Sequence, residues 1–146
     1  MKKTEYEKNM YYFDKAGYEL MEQDDSLIGV GLEFYCKELN VAVILSRPFH
    51  ETIHGHRIEN AKNDLCRKNN IRLIRILEAG CQTYDNCMCL QCDDESLESY
   101  DWALISMFEI LGIAVNVDCE RDMREMFMWY QKYLDNRKVL YRNKNK

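Results

Sequence analysis

The sequence predicts an α/β domain with a mixed central β-sheet flanked by helices. Three observations predict it. Val41-Ala42-Val43-Ile44-Leu45 is an unbroken apolar run, the pattern of a strand covered on both faces. A strand over 40–46, a helix over 57–69 and a strand over 71–77 follow in the order of a crossover between parallel strands. Elsewhere apolar residues recur at spacings of three and four, as in helices that cover a sheet. The 146 residues suit a single domain over 1–136 with a basic flexible tail over 137–146.

Each element has its own signal. Over 5–22, Tyr6, Met10, Phe13, Gly17, Leu20 and Met21 share one helical face, and 23–26 reads as a loop. Residues 27–36 and 40–46 form a hairpin through Lys37-Glu38-Leu39-Asn40. Pro48 opens a loop that carries His50, His54 and His56, a solvent-exposed segment with the option of a phosphate or metal contact. The helix over 57–69 turns Ile58, Ala61, Leu65 and Cys66 inward, and Asn69-Asn70 ends it. A short strand is expected at 87–92. The helix over 96–111 carries a stripe of Leu97, Tyr100, Leu104, Met107, Phe108 and Leu111. The helix over 119–136 carries one of Met123, Met126, Phe127, Tyr130, Tyr133 and Leu134. These two stripes read as core, with an exposed partner groove as the alternative.

Charge and cysteine content narrow the function classes. The net charge of -5 disfavours a simple nucleic-acid coat. Residues 54–76 carry six Lys/Arg against two acids, 82–125 carry eleven acids against two Arg, and 132–146 carry six Lys/Arg against one acid. The plain reading is solvated helix faces; the sharper one is two surfaces of opposite sign. No apolar run reaches the roughly 18 residues of a membrane helix. The first residues lack the apolar stretch of a signal peptide. Seven cysteines, an odd number, then point to reduced thiols and a cytoplasmic location. Cys81, Cys87, Cys89 and Cys92 could supply four thiolates to zinc, but paired C-x2-C knuckles are lacking. If 87–92 is a strand, Cys92 faces away from Cys87 and Cys89, so no zinc site is expected.

Two segments carry a family resemblance. Leu32-Glu33-Phe34-Tyr35-Cys36-Lys37-Glu38-Leu39-Asn40-Val41-Ala42-Val43 has an acid opening a strand, a tight hairpin and an apolar return. Asn63-Asp64-Leu65-Cys66-Arg67-Lys68-Asn69-Asn70-Ile71-Arg72-Leu73-Ile74-Arg75-Ile76 is the more specific segment. Both resemble the Vsr-like branch of the PD-(D/E)XK nuclease superfamily. Glu78-Ala79-Gly80-Cys81 and Cys119-Glu120-Arg121-Asp122 resemble segments that follow such cores in bacterial proteins with treble-clef zinc ribbons. The resemblance spans roughly 5–135; the zinc ribbons themselves are absent. It implies a restriction-endonuclease-like core and carboxylates that hold Mg²⁺ against a phosphodiester. Position by position, the acids fall at Glu7 and Glu33, and the histidine after the following loop falls at His50. The return-strand acid falls at Ile44 and the next catalytic position at Ser46, so the chemistry is expected to be lost, with no cofactor.

Three functions compete. The leading expectation is a catalytically inactive interaction protein on a nuclease fold, of the kind a phage or mobile element would carry. Such a protein would bind and inhibit a nucleic-acid-processing machine, for example a CRISPR effector, through acids such as Asp93, Asp94 and Glu95. The alternatives are an active Mg²⁺-dependent DNA endonuclease, or a non-catalytic DNA binder using Arg57, Lys62, Arg67 and Lys68 with the basic tail.

Overall fold

A computed structural model describes residues 3–24, 29, 32–48 and 52–144. The apolar run becomes β3 (Val41–Ser46), the centre of a five-stranded mixed sheet. β2 (Leu32–Cys36) pairs antiparallel on one side of it, with Phe34 opposite Val43. β4 (Arg72–Leu77) pairs parallel on the other side, with Ile44 opposite Arg75. The edges are β1 (Met21–Asp24), antiparallel to β2, and β5 (Met88–Gln91), parallel to β4. The strand order is therefore β1-β2-β3-β4-β5. The β2–β3 turn is fixed by Asn40, whose φ of 53° lies in the left-handed region that Asn tolerates. Its side chain accepts from the Tyr35 hydroxyl at 2.7 Å and donates to the Asn70 carbonyl at 2.8 Å, joining the hairpin to the end of the crossover helix.

Helices cover both faces. α1 (Lys3–Lys15), α3 (Leu97–Leu111) and α4 (Cys119–Lys144) lie over one face. There Phe13, Phe34, Val43, Leu45, Ile74, Ile76, Leu104 and Phe108 build the main core. α2 (Ile53–Lys68) covers the other face, above a smaller apolar group that includes Ala42, Ile44, Cys66 and Leu73. α1 is tied to α4 by the buried Asp122, which accepts from the Tyr12 hydroxyl at 2.8 Å and from Arg121 at 2.9 Å. None of the described helices is long and apolar enough to cross a membrane.

Several elements differ from the sequence expectation. The first helix stops at Lys15 rather than 22, because Gly17 takes a φ of 90° and closes a Schellman cap. In that cap the Gly17 amide donates to the Asp14 carbonyl at 2.9 Å, and the Tyr18 amide donates to the Phe13 carbonyl at 2.9 Å. Met21, expected on the helix, instead opens β1, which also takes Gln23 and Asp24 from the expected loop. α2 starts at Ile53, capped by Thr52, so His54 and His56 lie in its first turn rather than in a loop. Of the expected strand over 27–36, positions 27, 28, 30 and 31 lie outside the described residues. α4 runs to Lys144 rather than stopping at 136.

Candidate functional site

One group of buried polar side chains, Ser46, Asn63 and Arg75, gathers between α2 and the sheet. Their centre is Arg75, which alternates in β4 with Ile74 and Ile76 of the main core and so shares the α2-facing side with Leu73. It is fully buried, at 0% exposure. A buried cation is tolerable only when paired and hydrogen-bonded, and Arg75 is both. Nη2 donates to Glu59 Oε2 at 2.8 Å and to Asn63 Oδ1 at 2.8 Å. Nε donates to the same Asn63 oxygen at 3.0 Å, and Nη1 donates to Ser46 Oγ at 3.1 Å. The guanidinium also lies over the Tyr84 ring at 4.4 Å, and His56 stacks on that ring at 4.6 Å. Burial pushes the Glu59 carboxyl up, but hydrogen bonding and charge from Arg75, with help from Lys62, outweigh it and leave Glu59 below its usual range.

This inward face of α2 differs from the expected one. Cys66 is buried as expected, but Glu59 and Asn63 join it on the sheet-facing side, spaced four and three apart, while Ile58 and Ala61 are exposed. The reason is the partner: α2 packs over a buried guanidinium and must offer it oxygens. Arg75 itself was visible in Ile71-Arg72-Leu73-Ile74-Arg75-Ile76-Leu77. In a strand covered on both faces a mid-strand residue is inside whichever face it takes, so Arg75 is buried, while Arg72 at the strand's first position stays exposed.

Glu33 lies on the same face. Its Oε2 accepts from the Leu45 amide at 2.9 Å. Burial pushes its carboxyl up to about 7, against opposing pulls from the Leu45 amide, Lys62 and Arg75. Ile44 is buried apolar core, and the Ser46 hydroxyl is taken by Arg75. Glu7 lies on the opposite side of the sheet, lining a cavity with Lys8, Leu97, Cys119 and Met123, so it forms no acidic pair with Glu33. His50 lies outside the described residues. This donor set does not fit Mg²⁺. It offers the Glu33 carboxyl, whose proton burial holds more tightly than usual, a Glu59 carboxylate already committed to Arg75, an aliphatic side chain and a committed hydroxyl, beside a fixed cation. Among the described residues, no group of three or more His, Cys, Asp or Glu is placed to hold a metal ion.

No protein family, characterised protein or solved structure matches the chain.

The other expected site residues are dispersed. Cys92 lies in the main core, on the far side of the sheet from Cys87 and Cys89, whose sulfurs are 3.7 Å apart. Cys81 donates to the Ser46 carbonyl at 3.2 Å. Lys62 turns to Glu59 at 3.3 Å, and Arg67 donates to Asn86 at 3.1 Å. Arg57 and Lys68 remain exposed along α2. Asp93, Asp94 and Glu95 are exposed in the loop between β5 and α3. Asp94 also has a local role: its Oδ1 accepts from the Ser96 amide at 2.9 Å, just ahead of α3, where Ser96 is the N-cap.

Sequence reasoning placed Met123 and Phe127 in the core. Both are exposed, at 52% and 57%. With Leu97 and Met126 they border a cavity of about 300 Å³. α4 buries Met126 and Tyr130 of the expected stripe in line with Cys119 and Asp122, and no described element packs over Phe127. Lys8 connects this apolar cavity to a second depression, lined by Asp94, Glu95 and Glu78.

Proposed function

We propose that this chain is a non-catalytic interaction protein on a restriction-endonuclease-like core, which binds and blocks a nucleic-acid-processing machine. The order of helix, antiparallel hairpin, crossover helix and parallel strand supports that core. The observation that carries the reading is the exposed apolar border of the α4 cavity beside the acidic 93–95 loop. Exposed apolar groups rimmed by charge are a mark of protein-binding surfaces. Proteins that process nucleic acids present basic grooves to phosphates, and acids in a depression next to an apolar anchor complement such a groove. The Arg75 cluster supports the non-catalytic half, because it occupies the sheet face where the resemblance implies a metal.

The test pairs a plasmid-nicking assay in Mg²⁺ or Mn²⁺ with affinity capture from a host expressing nucleic-acid-processing complexes. The reading expects no metal-dependent nicking and capture of a basic, nucleic-acid-binding protein. Capture should be lost in Phe127→Ser and in the Asp93→Lys, Glu95→Lys double variant; Asp94 is kept because it braces the start of α3. Metal-dependent nicking that disappears in Glu33→Ala would reverse the conclusion in favour of an active endonuclease.

A further inference from the structure

Cys87 and Cys89 stand apart from the other thiols. Cys36, Cys66, Cys81, Cys92 and Cys119 are buried, whereas these two are only partly covered, and the intervening Met88 is 42% exposed. The turn before them passes through Asn86 at a φ of 62° and delivers both sulfurs to one side of β5, 3.7 Å apart. Each sulfur receives an N–H: Asn63 Nδ2 donates to Cys87 Sγ at 3.5 Å, and the Tyr84 amide donates to Cys89 Sγ at 3.4 Å. Asn63 is itself held in place by Arg75 through its Oδ1 and by donation to the Asp85 carbonyl at 2.9 Å. The site is therefore two adjacent thiols, fixed donors aimed at both, a buried cation behind them and an opening to solvent.

We propose that Cys87 and Cys89 form a thiol–disulfide exchange site whose substrates are low-molecular-weight disulfides of the glutathione class. In the first step the Cys89 thiolate attacks one sulfur of the small disulfide. A bond forms between Cys89 Sγ and that sulfur, the original disulfide bond breaks, and one thiolate leaves. In the second step Cys87 gives up its proton and attacks Cys89 Sγ, expelling the second small thiolate and closing the Cys87–Cys89 disulfide. The small disulfide is reduced to two thiols, and the cysteine pair is oxidised by two electrons. A small thiol in excess runs both steps backwards.

The assignment of roles follows from the surroundings. The hydrogen bond shared with Cys87 is the main influence drawing the Cys89 thiol below its usual range, and the Tyr84 backbone and Arg75 act in the same direction while burial and Asp85 oppose them. Cys87 moves the other way, raised by the same contact and by burial. The two sulfurs share a hydrogen bond across 3.7 Å, and the fixed Tyr84 amide aimed at Cys89 favours it as the attacking sulfur and leaves Cys87 as the resolving one. Arg75 is a positioning residue here, acting through Asn63 and through its charge.

The test uses the full chain, reduced and then equilibrated in glutathione buffers of graded ratio, quenched by alkylation and mapped by fragmentation mass spectrometry. The expected product has lost two hydrogens, with the link between Cys87 and Cys89 and the remaining cysteines still thiols. It returns to the dithiol in excess reduced glutathione. Cys87→Ser should stall at the glutathione adduct on Cys89, and Cys89→Ser should react at least ~10-fold more slowly at pH 7. Alkylation of the pair by iodoacetamide should set in at a lower pH than for an ordinary cysteine. The wild-type map decides the matter even if a serine variant folds poorly. A pair that stays reduced in oxidised glutathione, a wild-type adduct that never closes, or a link to Cys81 would each overturn the proposal.

Discussion

Glu33 and Arg75 share one sheet face but respond differently to change. Folding raises the Glu33 carboxyl from 4.5 to about 7 because burial disfavours its charge. The folded chain therefore binds the proton more tightly than the unfolded one. The stability this group contributes is full below about 4.5 and is lost as pH rises through 7. Glu33→Gln keeps an acceptor for the Leu45 amide and removes the titration. Relative to wild type it should gain roughly 1–3 kcal/mol on going from pH 4.5 to pH 8. Urea denaturation at the two pH values measures this, and an equal difference at both would remove Glu33 as the cause. Arg75→Leu leaves Glu59 and Asn63 facing an apolar group, and should cost ~3–5 kcal/mol by the same measurement. Arg75→Lys should recover little, since an ammonium cannot span Glu59, Asn63 and Ser46 as the guanidinium fork does. Replacing Arg75 by Met together with Glu59 by Leu should recover much of the loss.

Each helix was legible to the extent that its partner was apolar and local in pattern. α3 packs on the main core, and Tyr100, Leu104, Met107 and Phe108 of its expected stripe are all buried. On α2 the expected inward face holds at Cys66 but not at Ile58 or Ala61, because the group it covers, Arg75, belongs to another segment. α1 was overextended across Gly17, although a glycine there is itself a stop signal. A Cβ at Gly17 would meet nothing within 4 Å, so the cost of Gly17→Ala is purely conformational at a φ of 90°. It should lower stability by ~1 kcal/mol, read from the shift of the thermal midpoint. On α4 two aromatic residues three apart should behave oppositely. Tyr130→Ala removes a buried ring and should cost ~3 kcal/mol or more. Phe127→Ser should change stability by less than about 0.5 kcal/mol. Comparable losses for the two would mean that the outer face of α4 is covered.

At the scale of the whole molecule, the sheet separates two chemistries. One side holds a polar cluster locked around a guanidinium, next to the Cys87–Cys89 pair; the other presents an apolar cavity beside acids. A protein that works by binding should keep its cellular effect in Glu33→Gln and lose it in Phe127→Ser while its melting temperature holds. The opposite pattern, measured with a survival or processing assay in the host that supplies the partner, would move the function to the α2 side. The sequence by itself determined the α/β class, the β2–β3 hairpin, the α2 crossover and the central position of β3. Those features follow from local period, turn residues and apolar runs, which act over a few residues. Only the tertiary structure decided that Glu7 and Glu33 lie on opposite sides of the sheet, that α2 turns Glu59 and Asn63 inward, and that Met123 and Phe127 stay outside. A side chain's burial depends on what distant segments bring against it, and that partner is fixed by the folded arrangement, not by spacing along the chain.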